Sequence, residues 1–67
     1  MHELSLAMDV CRITEENVGR SALDRVREVG LEVGDSSGVE FGTFQFCLES
    51  LLSAPPFREA RARIERT

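Results

Sequence analysis

The spacing of apolar residues switches three times between a helical period and a strand period within 67 residues, and this alternation limits the chain to a small mixed fold. From Leu4 to Val18 the apolar positions Leu4, Leu6, Ala7, Met8, Val10, Cys11, Ile13 and Val18 cover roughly half of a helical wheel. Asp9, Arg12 and Glu16 gather on the opposite face with Ser5. Gly19 marks the stop of that helix, and Ser21–Asp24 reads as a connector. Arg25–Val33 then alternates every second residue, with Val29, Leu31 and Val33 on one face and Glu28 and Glu32 on the other, which predicts a half-buried strand. Gly30 inside it predicts a bulge or a close backbone approach. Gly34–Gly38 is a turn-rich loop, and it lacks the lysine of a phosphate-cradling glycine loop.

A second helix is expected from Glu40 to Leu52. Its core stripe is Phe41, Phe44, Leu48, Leu51 and Leu52, flanked by Cys47, while Phe46 falls on the far side, either as a lone exposed aromatic or as the mark of a partner or dimer contact. Ser53-Ala54-Pro55-Pro56 ends it, because a proline disfavours helical geometry in the residue before it. Ala60–Arg66 alternates again, with Ala60, Ala62 and Ile64 inward. The expected fold class is α+β: two helices packed on a small β-sheet in the order helix–strand–helix–strand, forming a single domain over residues 1–67. If the strands are parallel, their crossover through the second helix should be right-handed. Two strands are marginal alone, so their open edges call for completion by a partner or by a homodimer.

Chain length sharpens that demand. A domain this small buries only about 60% of the surface its unfolded chain exposes. Without staples its core supplies no more than about 3–5 kcal/mol. Cys11 and Cys47 each sit inside an apolar helical pattern and read as buried reduced thiols; a structural zinc site needs a clustered spacing that is absent here. No run of 18 apolar residues exists to span a membrane, and no basic segment leads into a long apolar stretch, so the expected compartment is cytoplasmic. The net charge of −4 excludes nucleic acid and anionic membranes as natural partners. The charge is uneven: residues 1–52 carry ten acids and four arginines, whereas residues 53–67 carry two acids and four arginines. That basic tail reads as a solvated strand face.

One chemical feature stands apart. The sole histidine is residue 2, directly behind Met1 and ahead of Glu3. An initiator methionine before a bulky residue is retained, so the α-amine, the amide nitrogen of His2 and the ring Nδ1 can close a five- and a six-membered chelate in one plane. Planar nitrogen ligation favours Ni(II) or Cu(II) over zinc or magnesium. Because Met1 and His2 precede the first helical turn, where backbone N–H groups lack partners, this end is attached to a packed element.

Met1-His2-Glu3-Leu4-Ser5-Leu6, then Arg25-Val26 with Val29-Gly30-Leu31-Glu32-Val33-Gly34, then Ser37-Gly38-Val39-Glu40 and Phe44-Gln45-Phe46-Cys47-Leu48-Glu49 occur in order along the chain. Together they resemble the nickel-binding domain of the HypA/HybF hydrogenase maturation proteins, which are nickel metallochaperones without catalytic activity. The resemblance runs across all 67 residues. It implies a cytosolic protein that binds one Ni(II) and donates it to the large subunit of [NiFe] hydrogenase with a GTPase maturation partner, and in some organisms to urease. It also implies a ligand set. His2 supplies its imidazole and backbone amide, Met1 its amine, Glu3 its backbone amide or carboxylate, and Glu40 acts as an extra ligand or as a supporting group. Family members continue into a zinc ribbon built on two C-x-x-C pairs and then return to complete the sheet. The chain stops at Thr67 before those cysteines, so no structural zinc is expected in it.

The alternative expectation is a metal-independent interaction or dimerisation module, in which the truncated sheet pairs edge to edge. An enzyme is the least favoured class, because catalysis needs titratable groups converging in a pocket and the only histidine is terminal.

Overall fold

The computed structural model describes residues 2–67. Helix α1 spans Glu3–Val18 and is followed by a 3₁₀-helix, Arg20–Arg25, and strand β1, Glu28–Val33. A short 3₁₀ turn, Asp35–Ser37, leads into helix α2, Phe41–Leu52, and strand β2 covers Arg61–Arg66. The two strands pair in parallel, so β1–α2–β2 is a crossover unit. The α+β architecture expected from the periodicities is the one observed.

Each helix end has a local cause. Gly19 follows α1 at φ 87°, a left-handed backbone that a side chain disfavours, and its N–H donates to the Glu15 carbonyl at 2.8 Å. The start of α2 is capped by Glu40, which therefore precedes the helix rather than opening it. Its end is followed by Pro55 and Pro56, which have no N–H to continue the ladder.

The core consists of Ala7 from α1, Leu23 from the 3₁₀-helix, Phe44, Leu48 and Leu52 from α2, and Phe57 and Ala60 from the approach to β2. Helix α1 packs chiefly on α2, and α2 in turn on β2. Ala7 is fully buried, and its small side chain lets the two helices lie close. Burying one leucine contributes about 1.5–3 kcal/mol, so Leu23, Leu48 and Leu52 carry much of the stability of so small a domain. Phe46, 72% exposed, faces solvent as its wheel position requires.

Two expectations need correction. The first strand does not begin at Arg25. Residues 20–25 wind into the 3₁₀-helix instead, because that turn drives Leu23 into the core, and the extended ladder starts only at Glu28. Nor is Gly30 the site of a bulge. The register runs unbroken from Glu28↔Arg61 to Val33↔Arg66, and Gly30 serves as a close approach, since any Cβ there would collide with the Arg63 guanidinium.

Val29, Leu31, Val33, Ala62 and Ile64 pack against the helices, while Glu28, Gly30, Glu32, Arg61, Arg63 and Glu65 line the outer face. Two of the four arginines in the basic tail are paired. Arg63 pairs with Glu28 at 3.0 Å and with Glu65, and Arg66 pairs with Asp35 at 3.2 Å while stacking on the Phe41 ring.

Candidate metal centre

The first turn of α1 and the first turn of α2 lie side by side, and one hydrogen bond ties them. The Glu40 N–H donates to Glu3 Oε2 at 3.0 Å, across 37 positions of sequence. The Glu40 carboxylate turns the other way and caps α2. It accepts from the Gly42 N–H at 2.9 Å, the Thr43 N–H at 3.1 Å and the Thr43 hydroxyl at 2.7 Å. A carboxylate in that position satisfies donors that the helix cannot, and it sits at the positive end of the helix dipole.

His2 occupies the residue before α1. Its carbonyl accepts from the Leu6 N–H at 3.0 Å, and no side-chain cap engages its ring. The residue is exposed, with φ −93° and ψ 77°. Its neighbour Glu3 is half-buried and is the first residue of the helix, where a main-chain N–H has no helical acceptor. The structure thus brings Glu3 and Glu40 together and holds His2 beside them in sequence. Met1, the source of the expected amine ligand, lies outside the described residues.

Hydrogen bonding lowers the pKa of both carboxylates. For Glu3 the main cause is the N–H of Glu40; for Glu40 it is the Thr43 hydroxyl, with the N–H groups of Gly42 and Thr43 adding to it. Both groups therefore stand ionised at neutral pH. Among the described residues, no three His, Cys, Asp or Glu side chains converge as a metal cage. Cys11 and Cys47 are half-buried free thiols, and burial pushes the Cys11 thiol above its ordinary pKa, away from thiolate chemistry.

The residues that shape this corner beyond the expected ligands are Thr43, through its hydroxyl, and Phe41, which Arg66 clamps at 4.0 Å from ring centroid to guanidinium carbon. Glu40 is longer than the Ser, Thr, Asp or Asn that usually caps a helix, so the sequence alone gives its cap only a weak signal. The Arg66 contact had none, since it joins the far end of the chain to α2.

The sequence model described as "Hydrogenase/urease nickel incorporation, metallochaperone, hypA" matches residues 1–67. The chain belongs to the HypA family. It is similar to the hydrogenase maturation factor HypA of Parabacteroides distasonis, with 38% identity over 61 residues, covering 91% of this chain and 53% of that one. The HypA of Polaromonas naphthalenivorans is 37% identical over 65 residues, covering 97% and 56%. That of Geotalea uraniireducens is 39% identical over 66 residues, covering 98% and 57%. This HypA-family chain spans little more than half the length of those relatives. No helix among the described residues is long and apolar enough to cross a membrane.

Proposed function

We infer that this chain is the nickel-holding part of a metallochaperone, and that the ion is cargo rather than a resident cofactor. The observation that carries the reading is the exposed His2 at the head of α1, its ring free of any cap, in a chain that matches the HypA family from end to end. The proposed donors are the Met1 amine, the His2 amide and ring nitrogens, and the Glu3 amide or carboxylate. With nitrogen predominating, that set suits planar Ni(II). Glu40 is a supporting group in this reading: both oxygens of its carboxylate are occupied in the cap, and its N–H holds Glu3.

A carrier has to release what it binds. Each nitrogen donor must shed a proton to take nickel, so acidification competes directly with the metal, and affinity should fall as pH drops. The function is binding and transfer, without catalysis. By family resemblance the recipient is the hydrogenase large subunit, with urease a second recipient and a GTPase maturation protein assisting, in the cytoplasm. A zinc ribbon forms no part of these 67 residues.

Calorimetric titration of the untagged chain with Ni(II) tests the reading. Loss of an outer-shell partner alone costs about 10–100-fold in metal affinity, so His2→Ala, which removes a ligand, should cost at least the upper figure. Unchanged affinity in that variant would overturn the assignment. A second reading, a metal-independent interaction module, is favoured by one observation, the open edges of a two-stranded sheet. It expects self-association with no nickel response.

A further inference from the structure

We propose that Thr43 is a positioning residue of the nickel corner, acting through Glu40 on Glu3 and thereby on the donors at the chain end. This role rests on the nickel-holding reading above and adds to it a side chain outside the proposed donor set. Two hydrogen bonds joined through Glu40, together with the placement of Glu3, carry it.

The first bond closes the cap. The Thr43 hydroxyl donates to Glu40 Oε1 at 2.7 Å, beside the N–H groups of Gly42 at 2.9 Å and Thr43 at 3.1 Å. Hydrogen bonds to an ionised acceptor are stronger than neutral ones. The hydroxyl is also the one donor of the three that a side-chain substitution removes without touching the main chain; Oε1 then keeps only the longest of the three contacts. The cap fixes the residue that bears it. Glu40 stands extended at φ −83° and ψ 107°, just ahead of the helix.

The second bond crosses to the other helix. The Glu40 N–H lies outside the helical ladder of α2 and donates to Glu3 Oε2 at 3.0 Å, joining the first turn of α1 to the start of α2. The direction of that N–H is set by the backbone angles at Glu40, which the cap holds.

Glu3 passes the restraint to the chain end. It follows His2 directly, so the peptide unit between them is held at two points. The His2 carbonyl accepts from the Leu6 N–H of α1 at 3.0 Å, and the Glu3 carboxylate is anchored on α2. With the second point loosened, the end turns on α1 alone, and gathering its donors round one ion costs more conformational entropy. Removing the direct partner of a ligand costs about 10–100-fold in metal affinity. Thr43 acts one bond further out, so its share is that of a single net hydrogen bond, about 2–10-fold.

Calorimetric titration of the untagged chain with nickel sulfate, well below the melting midpoint, tests this. Thr43→Val keeps the shape and loses the hydroxyl, and should weaken Ni(II) binding by about 2–10-fold while amide exchange at Glu40 quickens. Thr43→Ser keeps the hydroxyl and should match the parent in both readouts. Thr43→Ala should weaken binding as Thr43→Val does although alanine favours the helix, which separates the effect from a loss of fold. Ser50→Ala removes a hydroxyl about two turns further along α2, bonded to the Phe46 carbonyl at 2.8 Å, and should leave nickel affinity unchanged. Parent-like affinity in Thr43→Val and Thr43→Ala, or an equal loss in Ser50→Ala, would overturn the role of Thr43 and leave the nickel reading standing. A parent chain that binds no nickel would overturn both.

Discussion

Replacing Leu23 by alanine tests whether the 3₁₀-helix between α1 and β1 belongs to the core or merely links two elements. Leu23 is 1% exposed and shares a cluster with Ala7, Phe44, Leu48 and Leu52. Leu→Ala in a core costs about 2–5 kcal/mol, with the lower values where neighbours can collapse into the gap. Arg20, Ser21, Asp24 and Arg25 are exposed, so the segment is lightly packed around Leu23 and the lower part of that range, about 2–3 kcal/mol, applies. Set against a total of about 3–5 kcal/mol, the loss leaves the variant barely folded at room temperature. In a domain of this size each kcal/mol moves the melting point by about 4–8 °C, so Tm should drop by roughly 10–20 °C. Thermal unfolding followed by far-ultraviolet circular dichroism measures this directly. The double variant with Leu48→Ala should have no cooperative transition at all. A Tm within about 3 °C of the parent would refute the argument, because a fully buried leucine cannot be removed at so small a cost.

Glu3→Ala removes the acceptor that joins the two helix starts, so amide hydrogen exchange at Glu40 should quicken while the helical signal of α1 is kept; unaltered protection of that amide would count against the bond. Folding should also depend on pH through Glu40. Its pKa in the folded chain lies below the ordinary 4.5, so its contribution is fully present above that value and is lost as pH falls through the lower folded value. Melting midpoints should therefore fall in acid for the parent and fall less steeply for Glu40→Gln, as a pH series of thermal melts would show.

Much of this fold is written in short-range pattern. Apolar spacing placed α1 and α2 to within a residue at each end, because a helix buries the stripe that its own 3.6-residue repeat defines. Alternation put Val29, Leu31, Ala62 and Ile64 on the packed face for the same local reason, with a period of two. The Met-His-Glu opening is likewise a local pattern, since the proposed chelate requires only consecutive atoms of one chain.

Other features arose only where distant segments met. Residues 20–25 carry no helical stripe of their own; they coil against α1 because the core accepts Leu23, and this shortened β1 from the extent its alternation suggests. Phe57 is buried by the return of the chain towards β2, a matter of where that segment passes rather than of its composition. The bond between Glu40 and Glu3 spans 37 residues, and the stacking of Arg66 on Phe41 joins β2 to α2. A linear pattern records which face of an element is apolar. Which elements those faces meet, and which polar atoms are brought within reach of each other, is set by the packing of the whole chain.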